Sequence, residues 1–289
     1  MTSNPGKAPI VIVGAGRSGT KLLRGILVSH PDTVCFPREI NYIWRYGNAG
    51  YPTDELLLEH ARPTVVRYIR NRIASLSLRN GGARVVEKTC ANSLRVDFCH
   101  RVVPDAFFIH LVRDGRAVAE SARRRWQAGP ELGYLLEKAR WVPPSDVPYY
   151  ALRYLRHQVG RLRSAERAQS SWGPRFTGLD SLVENLTLIE VCGLQWRACV
   201  QAADAALRRL PSSQCITVRY EDLVADPMPV VRELLDRAGL AFVAECGTYV
   251  HSQVQGGNLS KWRERLSQEE LRLLLPHISS ELGVHGYEI

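Results

Sequence analysis

Short unbroken apolar runs alternate with stretches of helical spacing along this chain. Ile10, Val11, Ile12 and Val13 are β-branched without interruption, as in a strand buried on both faces of a parallel sheet. Leu22, Leu23, Ile26 and Leu27 then fall at helical spacing. After the turn His30-Pro31-Asp32, Val34-Cys35-Phe36 reads as a short second strand. Thr53-Asp54-Glu55 predicts the opening of a helical region that continues from Pro63 to Leu78, with Val65, Val66, Ile69, Ile73 and Leu76 on one face, until Asn80-Gly81-Gly82 stops it. Arg84 to Lys88 is a strand ending in two charges, and the helix after it places Leu94, Val96, Phe98 and Val102 at apolar positions.

Phe107 to Val112 is the strongest strand pattern, and a helix is predicted over Ala117 to Trp126. Gly129 to Pro148 contains four prolines and predicts a long irregular connection. Tyr149 to Ala168 reads as a basic helix, Ser170 to Asp180 as a loop, and Leu182 to Leu210 as one long helix. Gln214 to Val218 is the fifth strand, and a helix from Asp226-Pro227 ends with Ala238 at Gly239. Strands near residues 10, 35, 85, 110 and 216, separated by helices, predict a three-layer α/β fold: a parallel sheet of about five strands with helices on both faces. Residues 1–289 are expected to form a single domain.

Composition narrows the class without naming a function. Hydrophobic residues make up 45% of the 289, enough for a sizeable core. The formal net charge of +9 suits an anionic ligand, nucleic acid or an anionic membrane surface. The seven cysteines form no C-x-x-C pair and lie mostly in apolar pieces, as reduced core thiols do. No window approaches about 18 uninterrupted apolar residues, and the N-terminus lacks a signal-like apolar stretch, so a cytoplasmic protein without a membrane span is expected. Nothing in the pattern fixes an oligomeric state. Tyr42, Trp44, Tyr46 and Tyr51 crowd one segment, where they either wall a ligand pocket or, as expected, fill the core.

The chemistry concentrates at strand ends. Gly14, Gly16 and Gly19 make a turn between the first strand and the first helix, aiming backbone N–H groups and a positive helix end at one point. The spacing matches a dinucleotide fingerprint, yet the acidic candidate Asp32 precedes the second strand instead of closing it. A nucleoside-triphosphate loop would place lysine directly after Gly19, where Thr20 stands and Lys21 comes one residue late. A third reading takes Arg17, Ser18, Gly19, Thr20 and Lys21 together as donors to a phosphosulfate. A second anion site is expected where Arg113 closes the fourth strand, with Ser121 two turns into the next helix and Arg125 one turn further on the same face. Two such sites in one crevice imply a ligand phosphorylated at both ends. A nucleotide-binding kinase, a dinucleotide-dependent oxidoreductase and a basic nucleic-acid-binding module remain the alternatives.

Arg17-Ser18-Gly19-Thr20 after a buried strand resembles the 5′-phosphosulfate loop of sulfotransferases that use 3′-phosphoadenosine 5′-phosphosulfate. Arg113-Asp114-Gly115-Arg116-Ala117, with Ser121 at its distance, resembles their 3′-phosphate motif. Arg219-Tyr220-Glu221-Asp222-Leu223 is similar to the segment after the last core strand in bacterial and tyrosylprotein-type members, and Ser260-Lys261-Trp262 to their C-terminal donor loop. Ala15-Gly16 and Lys21 depart from the common pattern. The resemblance implies the P-loop-like sulfotransferase fold, 3′-phosphoadenosine 5′-phosphosulfate as co-substrate, no metal, no nucleic-acid partner and an acceptor bearing a hydroxyl. It implies that Arg17 and Lys88 hold the leaving-group and sulfate oxygens with help from Ser260, that Tyr220 and Lys261 line the donor site, and that Glu39 is the catalytic base. The acceptor is expected to be a glycan or metabolite hydroxyl, with peptide tyrosine next and lipid also open.

Overall fold

In a computed structural model of the chain, the structure describes residues 7–128, 142–149, 152, 172–254 and 259–289. Five strands form the sheet: β1 (Ile10–Val13), β2 (Thr33–Cys35), β3 (Arg84–Lys88), β4 (Phe107–Val112) and β5 (Cys215–Arg219). Their order is β2-β3-β1-β4-β5 and every pairing is parallel. Ile10 pairs with Val86 on one side and Phe107 on the other, so β1 is the central strand. That position explains its unbroken β-branched run, because all four side chains are fully buried.

Alternation along the strands sends side chains to two different cores. Val11, Val13 and Phe108 face a layer built from α3 (Pro63–Arg79), α4 (Val96–Val102) and α7 (Leu188–Leu207). Ile10, Ile12, Ile109 and Leu111 face the opposite layer. That second layer contains α1 (Thr20–Val28), α8 (Tyr220–Ala225), α9 (Pro227–Arg237) and α10 (Ala244–Gln253). Each such side chain contributes about 1.5–3 kcal/mol on burial, so the two faces of β1 alone fix it in the middle. A third cluster joins α5 (Gly115–Gln127) to α7 and to α12 (Gln268–Val284) through Trp126, Trp196, Leu274 and Ile278.

Several elements differ from the pattern. The long helix expected over Leu182 to Leu210 is two helices, α6 (Leu179–Asn185) and α7. Thr187 and Glu190 form a capping box between them, with the Thr187 hydroxyl donating to Glu190 at 2.6 Å, and this starts a new helix. Thr53-Asp54-Glu55 opens no helix, because Asp54 is buried against Arg45 at 3.0 Å and Arg95 at 3.5 Å; only a 3-10 turn, Leu58–His60, precedes α3. Between β2 and α3 lies a single short helix, α2 (Asn41–Trp44). Three of the four crowded aromatics pack in or against the core: Trp44 is fully buried, Tyr46 stacks on Tyr68 at 3.7 Å between centroids, and Tyr51 meets the His60 ring, while Tyr42 is half-buried outside the core clusters. Most of Gly129 to Pro148 and of Tyr149 to Ala168, and the glycines before Leu259, lie outside the described residues. No helix among the described residues is long and apolar enough to cross a membrane.

Candidate active site

The carboxyl ends of the strands carry the expected residues on one edge of the sheet. Arg17 follows β1, Glu39 lies beyond β2, Lys88 ends β3, Arg113 follows β4 and Tyr220 follows β5. Open parallel sheets place their ligand crevice at this edge.

The turn after β1 is held in a particular shape. The Gly14 N–H donates to Ser93 Oγ at 2.9 Å, and the Ser18 N–H to the Ala15 carbonyl at 3.2 Å. Arg17 has φ +77°, the one positive value among described residues other than glycine. Gly19 has φ +91° and lies under the Tyr220 ring, so that a Cβ there would stand 2.3 Å from the ring edge. Gly19 also caps α1 without offering a side chain to its first N–H groups. The N-terminus of α5 is different, because Asp114 accepts from the Arg116 N–H at 2.9 Å and fills that position itself. The Ser18 hydroxyl is buried and has no hydrogen-bond partner among the described residues. An uncapped helix end and a buried, unpartnered hydroxyl at the same turn make an anion-accepting point.

Guanidinium groups surround that turn. Arg17 Nε donates to Ser121 Oγ on α5 at 3.0 Å, and Arg113 Nη1 donates to the Arg17 carbonyl at 3.2 Å. The Arg113 guanidinium lies 4.3 Å from the Tyr220 ring centroid. Partial burial, followed by repulsion from Arg124, Arg113 and Arg125, holds the Arg17 pKa below its ordinary value. Thus Arg17, Ser18, Gly19, Thr20, Arg113, Ser121, Arg125 and Tyr220 come together. Lys21 is exposed on the first turn of α1. Ser260 and Lys261 are exposed at the start of α11 (Lys261–Arg265) and make no hydrogen bond or ion pair to the β1 turn among the described residues. Their helix is seated on α5 through Trp262, whose ring lies 4.4 Å from the Arg116 guanidinium.

Across β1, Lys88 Nζ meets Glu39 Oε1 at 2.5 Å. Cys90 Sγ donates to the same oxygen at 3.4 Å and lies 3.7 Å from Thr20 Oγ1, bridging the Glu39 segment to α1. Burial alone would lower the Lys88 pKa, but Cys90 and the Glu39 carboxylate outweigh it and hold the ammonium above its ordinary value. Burial, with Glu39 alongside, pushes the Cys90 thiol up to about 11, so it stays protonated and able to donate.

Three residues here escape sequence reasoning. Cys90 and Ser93 sit in a 3-10 turn, Cys90–Leu94, whose role depends on β3 lying beside β1. Trp172 lies in a predicted loop, yet its ring covers Gly16, where a Cβ would come within 3.0 Å of it. Glu87 reads only as one of the two charges ending its strand, although an acid beside two valines of a buried strand is a signal that could single it out. Among the described residues no group of three or more His, Cys, Asp or Glu side chains could hold a metal ion.

The comparisons with known proteins agree with this outline. Residues 9–140 and 155–244 match the family described as the Sulfotransferase family. The mouse protein carbohydrate sulfotransferase 5 is 37% identical over 78 residues, which are 26% of this chain and 19% of that protein. Nodulation protein NoeE of Sinorhizobium fredii is 24% identical over 324 residues, covering 100% of this chain and 68% of its own length. The sulfotransferase domain of the curacin biosynthetic pathway shares the fold with a TM-score of 0.57, 16% identity and 98% of each chain covered. A sulfotransferase from Mycobacterium avium does so with a TM-score of 0.57 and 14% identity over 99% of this chain and 78% of its own. With a family match over most of its length and a sheet whose anion-accepting turn follows the central strand, the chain belongs to the sulfotransferase family.

Proposed function

We propose that the protein transfers the sulfuryl group of 3′-phosphoadenosine 5′-phosphosulfate to an acceptor hydroxyl, with Glu39 as base. The carrying observation is the 3.0 Å hydrogen bond from Arg17 to Ser121, which joins the turn after β1 to the helix after β4 in one basic surface. A ligand with a phosphate at each end fits that surface. The buried, unpartnered Ser18 hydroxyl and the uncapped start of α1 suit a 5′-phosphosulfate, while Arg113, Ser121 and Arg125 suit a 3′-phosphate.

The co-substrate supplies an activated sulfuryl group, and the protein supplies position and charge. As the acceptor oxygen bonds to sulfur, the sulfur–oxygen bond to the 5′-phosphate breaks. Arg17 and Lys88, with Ser260 assisting from the C-terminal segment, balance the charge that collects on the phosphate. Tyr220 stacks against Arg113 and closes over Gly19, which keeps the turn in its binding shape. Lys88 favours the ionised form of Glu39, the form able to take the acceptor's proton. Lys261 adds a cation near the donor by resemblance alone, and Lys21 does so at the start of α1.

A glycan hydroxyl is the preferred acceptor, supported by the mouse relative whose name specifies carbohydrate. The dinucleotide reading is weaker. Asp32 lies before β2, pairs at 3.8 Å with exposed Lys7, and so sits at the sheet edge away from the β1 turn.

Thermal unfolding tests the proposal. Adenosine 3′,5′-bisphosphate at 100 times its dissociation constant should add about 2.7 kcal/mol of stability, whereas ATP, NAD and duplex DNA at equal concentration add far less. Stabilisation by NAD or ATP without the bisphosphate would overturn the reading. Sulfur-labelled donor offered to glycan, peptide, lipid and phenol pools then identifies the acceptor, and label found only in tyrosine peptides would replace the glycan assignment.

A further inference from the structure

Glu39 lies in the stretch between β2 and α2, which has no strand or helix of its own to fix it. A base must be held to within a fraction of an ångström, so the groups that anchor this stretch matter as much as the carboxylate. Two anchors act on the adjacent residues. The Ile40 N–H donates to Thr89 Oγ1 at 3.2 Å. The Asn41 side chain accepts from Arg95 Nη2 at 2.5 Å and donates to Asp54 Oδ1 at 3.1 Å.

Both anchors belong to one buried network. Thr89 is fully buried and gives its single hydroxyl proton to Glu87 Oε1 at 2.6 Å, leaving its lone pair to accept from Ile40. The second Glu87 oxygen accepts from Asn92 Nδ2 at 2.9 Å, and Asn92 Oδ1 accepts from Arg95 Nε at 2.9 Å. Arg95 then returns to Asn41 and Asp54, and Asp54 is braced by Arg45 at 3.0 Å and by the Arg175 N–H at 2.9 Å. The donor directions leave no freedom at position 89. Glu87 is an acceptor and the Ile40 amide a donor, so the residue between them must do both, which only a hydroxyl of this size achieves.

We propose that Thr89 and Asn41 are positioning residues of the transfer reaction: they clamp the backbone at Ile40-Asn41 and thereby set the Glu39 carboxylate against Lys88. The inference rests on the reading of Glu39 as base. Thr89 touches neither Glu39's carboxylate nor the basic surface around Arg17, so its effect passes through the backbone. Burial raises the Glu87 carboxyl to about 7, which makes the network, and the clamp with it, looser as the pH falls below neutrality. Of the groups facing Glu39, Lys88 and Cys90 hold their protons through that range, while Glu87, which Glu39 repels, is the one that changes charge; Arg95 is the cation that faces Glu87.

The experiment is a double-mutant cycle with turnover, bisphosphate affinity and melting temperature measured on each variant. Thr89→Val keeps the shape and removes the hydroxyl; turnover should fall roughly 10-fold or more while the dissociation constant of adenosine 3′,5′-bisphosphate stays within about twofold. Thr89→Ser should restore most of the turnover. In a Glu39→Gln background, already slowed by roughly 10²-fold, Thr89→Val should cost less than about twofold more, because the clamp has lost what it positions. Asn41→Ala loosens the same stretch from its other side and should show the same loss and the same suppression, which keeps the test open if Thr89→Val does not fold. Normal turnover in both Thr89→Val and Asn41→Ala, or losses that multiply fully with Glu39→Gln, would overturn the clamp while leaving the base in place. Normal turnover in Glu39→Gln would instead remove the base, and the clamp's role with it.

Discussion

Arg113 shows how much one side chain does in this site. Its guanidinium donates to the Arg17 carbonyl and stacks on Tyr220, and in the proposed reading it also receives the 3′-phosphate. Arg113→Ala should therefore weaken adenosine 3′,5′-bisphosphate by roughly 10- to 100-fold, the worth of a charge-assisted hydrogen bond of about 1.5–3 kcal/mol. Adenosine 5′-monophosphate should lose much less, and equal losses for the two ligands in calorimetry would refute the assignment. Cys90 makes a second case at the same scale. With its pKa near 11 and a carboxylate beside it, the thiol is a poor nucleophile despite standing in the crevice. Iodoacetamide at pH 7 should modify Cys90 more slowly than Cys35 and Cys215, which are partly buried like it but each face an arginine that lowers the thiol pKa instead of a carboxylate that raises it. Rapid labelling at Cys90 would show that the thiol does not serve as a donor to Glu39.

At the scale of elements, the turn between β1 and α1 depends on glycine for a steric reason. A methyl group at position 19 would collide with the Tyr220 ring in a backbone region that other residues rarely enter. Gly19→Ala should lower the melting temperature, at a cost of about 1–3 kcal/mol, and abolish stabilisation by the bisphosphate. A variant that binds normally would mean the ring moves aside freely. The elements themselves were largely legible. Short apolar runs, interrupted by polar residues in β3, β4 and β5, named all five strands, and glycine-rich or arginine-bearing ends marked β1 and β4 as candidate ligand carriers. What the chain did not reveal was lateral. Lys88 and Glu39 become partners because β2 and β3 are neighbours, and Ser93 reaches Gly14 because β3 lies beside β1. Asp54 misled for a related reason: it reads as a helix cap, but two buried arginines from other elements claim it. The break before α7 was written in Thr187 and Glu190, a local signal hidden by the apolar stretches on either side.

The whole molecule carries its buried acid at a cost that depends on pH. Glu87 has its folded pKa raised to about 7, chiefly by burial, so the folded state holds a proton that the unfolded chain has released. Below the ordinary carboxylate range the group is neutral in both states and costs nothing. As pH rises from about 4.5 to about 7 stability falls, by on the order of 3 kcal/mol, and above 7 the decline from this group stops. The stability difference between the wild type and Glu87→Gln, followed by denaturant unfolding from pH 5 to pH 8, should move against the wild type up to neutrality and then level off. A flat difference would place the Glu87 pKa near that of an exposed carboxylate. Asp204, held low between His110 and His285, titrates in a more acidic window and does not mask the trend. The order β2-β3-β1-β4-β5 has a consequence for how such a protein changes its clientele. Apart from Lys88, which ends β3, and the C-terminal Ser260 and Lys261, the groups proposed for the nucleotide stand over β1, β4 and β5, whereas the proposed base and the long excursion of residues 36–83 stand over β2 and β3. Most of that excursion lies outside the proposed base and its anchors, so a lineage can rewrite the rest of residues 36–83 around Glu39 and Asn41 to recruit a new acceptor while the nucleotide groups and Lys88 are inherited. Chimeras exchanged at the ends of β2 and β3 are the natural unit for redirecting it.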